Sequence, residues 1–314
     1  MSRSAVAERM SVVVPSYNHE RFVGAAIRSV IGQSRPPDEL VVIDDGSRDG
    51  SVAVIERELA QVPIPTRLIV RENRGLSATL NEGLRLTSGT YFAYLASDDT
   101  WAPTRLATGI AALEAHPAAV MAFGAATIVD AQDRVLDTWG SNYHVVNLSL
   151  DDLLRFTSIP LASTVTYRRT AIESIGWNES SAMEDYELYL RLAARGPFAY
   201  IETPEGTWRM HESNVSKDLP RMLREALGTQ RRVAGELGVS DVALARYQQH
   251  VRFAYGGFFL QAHEWRPGAR LTLSSLGGAP SRAALARRLV HVMIPPQVLV
   301  ARQAIRQRRG PGPT

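Results

Sequence analysis

The side chains with the most chemical potential in the first hundred residues fall in four polar stretches: Pro15, Ser16, Tyr17 and Asn18; Asp44, Asp45, Gly46 and Ser47; Glu72, Asn73, Arg74 and Gly75; and Ser97, Asp98 and Asp99. Each stretch alone reads as turn and helix-cap chemistry, because small polar residues hydrogen-bond nearby backbone. Together they supply carboxylates, amides, hydroxyls and a guanidinium. Neither a G-x-x-x-x-G-K-[ST] loop nor a G-x-G-x-x-G turn occurs, so a P-loop enzyme and a dinucleotide fold are poor readings. A diphosphate bound here needs another counter-charge, and a hard divalent cation on carboxylates supplies one. Asp98 and Asp99 stand where that ion would be wanted.

Each polar stretch follows an apolar run, at residues 10–15, 40–44, 67–70 and 90–95. Between the runs lie helical stripes: Phe22, Ala26 and Val30, with Val23, Ile27 and Ile31 beside them, and then Leu76, Leu80 and Leu84. This alternation predicts βαβ units on a mainly parallel sheet flanked by helices, with ligands bound beyond the carboxyl ends of the strands. A further β-like run covers residues 119–129, mixed pieces continue to about 216, and residues 218–264 read as mainly helical. The glycine- and proline-rich end, 310–314, reads as disordered.

At 314 residues and 45% hydrophobic content, the chain can bury one large core or two modest ones. It has no cysteine, which excludes disulfides, thiolate metal sites and cysteine nucleophiles and leaves oxygen or imidazole as metal ligands. The N-terminal residues lack the apolar core of a secretory signal, and no run approaches the roughly 20 apolar residues of a membrane span. The expectation is a cytoplasmic protein. Nine of the 35 basic residues and none of the 32 acidic ones lie beyond Glu264, so residues 1–264 carry a formal −6 and the remainder +9. The apolar run 289–301, interrupted by Pro295 and Pro296 and free of aromatic residues, points this basic segment toward an anionic membrane surface rather than nucleic acid. A plain solvated or oligomerising tail is the other reading.

Six stretches in order resemble glycosyltransferase family 2, the GT-A group of inverting enzymes: VVVPSYN (12–18), VVIDDGSRDGS (41–51), ENRGLSATLNEGL (72–84), GTYFAYLASDDTWAP (89–103), MEDYELYLRLAARG (183–196) and WRMHESNVS (208–216). The resemblance covers roughly residues 10–216. It implies a GT-A Rossmann-like domain over 1–217, with a donor-binding half at about 10–103 and an acceptor and catalytic half at about 104–217. A mainly helical extension follows over 218–314.

Residue by residue, the resemblance implies that Pro15, Tyr17 and Asn18 shape a nucleotide pocket. Asp45 would read the base edge, since a carboxylate accepts from the N–H edge of uracil, thymine or guanine. Asn73 and Arg74 would lie near ribose or diphosphate, with Ser97 also on the donor side. Asp98 inherits the direct metal ligand, Asp99 supports it, and His211 reaches the metal or the donor phosphates. Ser213, Asn214 and Ser216 would then lie on a mobile loop over the diphosphate. Asp185 is implied as the base that takes the acceptor hydroxyl proton, with Glu184 orienting the acceptor. The chain departs from the family pattern twice. Ala96 replaces the first carboxylate of the metal motif, weakening contacts to ribose or a metal-bound water, and Leu80 stands where many members carry an arginine, a charge Arg74 would supply instead.

The implied function is an inverting transfer of sugar from a nucleotide-diphosphate sugar, with Mn2+ or Mg2+ as cofactor, to a glycan or lipid-linked glycan hydroxyl in bacterial surface polysaccharide or glycoconjugate synthesis. Two other classes compete, a nucleotidyltransferase and a non-catalytic sugar-nucleotide or glycan-binding module. The first lacks a basic, glycine-rich signature near the first strand, and the Glu184–Asp185 pair with His211 argues against the second.

Overall fold

A computed structural model describes residues 8–60, 62–140, 148–212 and 214–293. Ser213, the end of the apolar run and the 310–314 terminus lie outside the described residues. The chain forms two compact units, one of residues up to Leu153 with Ser158–Asn214, the other of Leu154–Thr157 with the chain from Val215 onward.

The first unit opens with four parallel strands, β1 (Met10–Ser16), β2 (Glu39–Asp44), β3 (Thr66–Val70) and β4 (Tyr91–Tyr94), in the spatial order β3, β2, β1, β4. Val12 pairs with Leu40 on one side and with Ala93 on the other. Val12, Val13, Val14, Val42 and Ile43 are fully buried, as expected of β-branched strands covered on both faces. The crossovers are helices α1 (Val23–Ile31), α2 (Ser51–Leu59) and α3 (Leu76–Leu86). Helix α1 buries Val23, Ala26, Ile27 and Val30, the i, i+3, i+4, i+7 stripe of an amphipathic helix. Truncating such a residue, Ile27→Ala for example, costs about 2–5 kcal/mol.

The rest of this unit departs from the mainly parallel expectation. Its elements are β5 (Thr100–Trp101), α4 (Arg105–Ala115), β6 (Met121–Asp130), β7 (Val135–Trp139), α5 (Leu150–Leu154), β8 (Thr166–Arg168), α6 (Arg169–Ile172), α7 (Glu184–Ala193) and β9 (Phe198–Met210). Strand β8 pairs antiparallel with both β4 and β6, β6 is parallel to β9, and β5 and β7 are antiparallel additions, so the sheet is mixed. In the β3-β2-β1-β4 order the chain leaves β1 toward β2 and later returns to the other side of β1 as β4. The crevice between the carboxyl ends of β1 and β4 is therefore a topological switch point, the place where open α/β sheets bind ligands.

The second unit is helical: α8 (Leu219–Ala234), α9 (Asp241–Gln261), α10 (Trp265–Ser274) and α11 (Arg282–Met293). Asp218 caps α8 by accepting the Arg221 N–H at 3.0 Å, and Ser240 caps α9 by accepting that of Ala243 at 3.3 Å. A Cβ on Gly256 would lie 3.0 Å from the Thr272 nitrogen, so glycine there permits α9 and α10 to touch backbone to backbone. Among the described residues no helix is long and apolar enough to cross a membrane.

Candidate active site

At the end of β1, Pro15 is buried within the strand while Tyr17 and Asn18 emerge from it. Asn18 adopts a left-handed φ of 54°, which asparagine tolerates better than most residues. Its N–H donates to Ser47 Oγ at 2.8 Å and its side-chain oxygen accepts the Arg48 N–H at 2.8 Å. His19 N–H in turn donates to Ser51 Oγ at 2.9 Å. The loops leaving β1 and β2 are thus stitched into one rim.

Asp44 folds the β2 exit by accepting the Ser47 N–H and hydroxyl at 2.8 and 2.6 Å. Asp45, also buried, turns toward the loop after β3. Its Oδ1 accepts the Arg74 N–H at 2.9 Å and the Arg71 guanidinium, and its Oδ2 accepts the Gly75 N–H at 2.8 Å. Arg71 continues to Glu82 and Thr79, each at 2.8 Å. Asn73 and Arg74 are exposed, the Arg74 guanidinium lying 3.9 Å from Glu82. Leu80 is fully buried, and the guanidinium bonded to Asp45 is that of Arg71, a residue outside the stretches singled out in the sequence.

Beyond β4, Ser97 is buried, and its hydroxyl shares a 2.8 Å hydrogen bond with His19 Nδ1. Asp98 Oδ2 accepts from His211 Nε2 at 2.9 Å, and Asp98 Oδ1 lies 4.0 Å from His19 Nδ1. Ligand atoms of His19, Asp98 and His211 all fall within 4.8 Å of one another. Asp99 does not join them: its Oδ1 accepts the backbone N–H of Arg209 at 2.8 Å. Arg209, on β9, locks the turn, donating from Nε to the Asp98 carbonyl at 2.7 Å. His211 stacks on Phe22 with centroids 5.3 Å apart, and Asn214 Oδ1 accepts its N–H. Ser216 falls in the 3-10 turn Val215–Lys217 of the second unit.

Electrostatics separate the two neighbouring aspartates. Desolvation opposes ionisation of Asp98, but the His211 hydrogen bond and the adjacent His19 outweigh it and hold the carboxyl below its ordinary range. Burial and then the Asp98 charge push Asp99 well above that range. Burial also lowers His19, against the pull of Asp98.

A second carboxylate pair opens α7. Tyr94, at the end of β4, donates its hydroxyl to both oxygens of Asp185 at 2.7 Å, and Trp177 Nε1 donates to Asp185 Oδ1 at 3.3 Å. Trp177 is held by Asn81 of α3, which accepts its N–H and donates to its carbonyl, both at 2.8 Å. Leu188, Leu190 and Leu192 of α7 are buried, as are Tyr186 and Tyr189. Desolvation raises Asp185 to about 6, opposed by the Tyr94 and Trp177 hydrogen bonds. Glu184 goes higher, to about 8, through burial and then the charge of Asp185. Tyr94 precedes Asp98 by four residues and His19 follows Asn18, so both sit beside residues with a stronger sequence signal.

Comparison with known proteins identifies the family. The model of glycosyl transferase family 2 matches residues 11–176, more than half of the chain. This chain belongs to that family. An uncharacterized glycosyltransferase of Nostoc sp. is 28% identical over 171 residues, covering 53% of this chain and 53% of that protein. The chain thus matches about half the length of that relative. TuaG of Bacillus subtilis, a putative teichuronic acid biosynthesis glycosyltransferase, is 28% identical over 194 residues, 61% of this chain and 74% of TuaG. The solved mannosyltransferase PcManGT of Pyrobaculum calidifontis, in complex with GDP-Man and Mn2+, superposes with a TM-score of 0.60 at 18% identity, covering 90% of this chain and 85% of that one. That likeness shows the fold.

Proposed function

We propose that this family 2 chain is an inverting glycosyltransferase that moves a sugar from a nucleoside diphosphate sugar to a hydroxyl of a glycan or lipid-linked glycan, in bacterial surface polysaccharide or glycoconjugate synthesis. The observation that carries the reading is the exit of β4. Tyr94 holds one carboxylate, Asp185, and four residues later Asp98 meets His211, so one strand end presents both a proton acceptor and an anion-and-imidazole pair. The name of TuaG supports the polysaccharide setting.

On the donor side, Tyr17 and Asn18 line the nucleotide pocket and Asn73 and Arg74 face ribose or diphosphate. Asp45 shapes the 71–75 loop, and its Oδ2, bonded only to the Gly75 N–H, keeps a lone pair for the N–H edge of a base. Asp98 and His211, with oxygen and imidazole donors 2.9 Å apart, fit a divalent cation, and the complex of PcManGT with Mn2+ supports that assignment. Such a cation neutralises negative charge on a diphosphate leaving group. Asp99 supports the ligand indirectly, by fastening the Asp98 turn to β9.

On the acceptor side, Asp185 takes the hydroxyl proton at Oδ2. Oδ1 already accepts from Trp177 as well as Tyr94, whereas Oδ2 accepts from Tyr94 alone. Glu184, whose carboxyl is pushed above that of Asp185, stays protonated when Asp185 is ionised and donates a hydrogen bond to the acceptor. Attack on the anomeric carbon then expels the nucleoside diphosphate in one displacement and inverts the configuration. The basic, acid-free segment from 265 onward, with Val290 and Met293 exposed on α11 near Arg287, supports contact with an anionic lipid surface.

A thermal-shift panel of nucleoside diphosphates with Mn2+ or Mg2+ tests the donor half. A cation-dependent rise in melting temperature with one nucleotide is expected, and its absence in Asp98→Ala. Equal stabilisation with and without cation contradicts the metal assignment. NMR of the product's anomeric proton tests inversion.

A further inference from the structure

We infer that His19 is a third protein ligand of the donor's cation, giving a donor set of two imidazoles and one carboxylate that favours Mn2+ over Mg2+. This rests on the reading that Asp98 and His211 hold the ion.

Three elements bring the groups together: His19 leaves β1, Asp98 leaves β4, and His211 follows β9. The first two flank the switch point of the sheet. Around an octahedral ion with bonds of roughly 2.1 Å, neighbouring ligand atoms lie roughly 3 Å apart and opposite ones roughly 4.2 Å. The 2.9 Å between His211 Nε2 and Asp98 Oδ2 matches a neighbouring pair, and the 4.0 Å between His19 Nδ1 and the other carboxylate oxygen, Asp98 Oδ1, is close to an opposite one. His19 is fixed in that pose. Its N–H is tied to Ser51 Oγ, and its ring meets those of His211 and Phe22 edge-on, with centroids 5.6 and 6.2 Å away. The Ser97 hydroxyl occupies Nδ1 at 2.8 Å, a neutral contact that a cation displaces with little movement of the ring.

The donor count has a chemical consequence. Asp99 is turned to the Arg209 backbone and Ala96 carries no ligand atom, so Asp98 is the one carboxylate that the turn after β4 brings to the cluster. Mg2+ prefers oxygen ligands and keeps its waters, whereas imidazole nitrogen suits first-row transition ions, which 2-His-1-carboxylate sets bind with positions left open. The open positions would take diphosphate oxygens.

The test uses the full chain with Mn2+ and either UDP or GDP. Pulsed EPR of the wild-type protein is expected to show nitrogen couplings from two imidazoles, falling to one in His19→Ala. In titrations, His19→Ala is expected to weaken Mn2+ binding about tenfold or more while Mg2+ binding changes less than about twofold. A single imidazole coupling in the wild-type protein, or unchanged Mn2+ affinity in His19→Ala, overturns the assignment of His19. Unchanged Mn2+ affinity in Asp98→Ala instead overturns the underlying cation site.

Discussion

The Tyr94 hydroxyl reaches both carboxylate oxygens of Asp185 at 2.7 Å, across 91 positions of sequence. Burial and the charge of Asp185 raise the Tyr94 pKa well above its ordinary value, so the phenol keeps its proton and remains a donor. The hydrogen bond stabilises the ionised form of Asp185 against desolvation. Tyr94 therefore tunes and orients the proposed base.

Tyr94→Phe removes that stabilisation and raises the Asp185 pKa further. Asp185 acts as a base only when ionised, so wild-type kcat is expected to fall as the pH drops through about 6. In the variant the same fall moves to higher pH, with about tenfold lower kcat at neutral pH and little change in donor affinity. A pH–rate profile measures both. An unshifted acid limb would show that Tyr94 only packs.

The Glu184 and Asp185 pair gives a stability signature. Both folded-state pKa values are raised, from 4.5 to about 8 and from 3.8 to about 6, so the folded protein binds more protons than the unfolded chain between those values. Their contribution is fully present below the unfolded pKa values and is lost as pH rises through the folded ones. Glu184→Gln is therefore expected to raise the melting temperature above pH 8 and to flatten its decline between about pH 5 and 8. Thermal melts across pH would show this, and a variant no more stable than wild type above pH 8 would contradict it.

Gly46 has φ +83°, and a Cβ there would lie 2.8 Å from the Asn73 nitrogen. Gly46→Ala should cost about 1–2 kcal/mol in strain. It should also push the 71–75 loop off Asp45, weakening nucleoside diphosphate binding about tenfold. Calorimetric titration with the nucleotide selected by thermal shift provides the check.

Much of the donor half was legible in the sequence because its signals are local. Continuous apolar runs gave β1 to β4 to within two residues, and polar residues after each run marked the loops that the structure gathers at one sheet edge. Orientation within that edge was not legible. Whether Asp45 faces a ligand or the Arg74 and Gly75 N–H groups depends on how the loop after β3 packs on Gly46, a contact made by backbone. Asp98 and Asp99 are adjacent and chemically identical, yet β9 claims one and leaves the other to His211. The antiparallel half was equally hidden, since β8 enters between β4 and β6 through pairings more than 40 residues apart in sequence. His19 followed the conspicuous Asn18, and only the return of β4 beside β1 brings it to Asp98.

Asp185 is the proposed base of the sugar transfer. The most direct test is turnover of Asp185→Asn beside its affinity for the matched nucleotide and cation. Asparagine keeps the Tyr94 and Trp177 contacts at Oδ1 but cannot take a proton. The predicted result is a loss of about 10²- to 10⁴-fold in kcat with binding unchanged within about twofold. Near wild-type turnover in that variant would contradict the account.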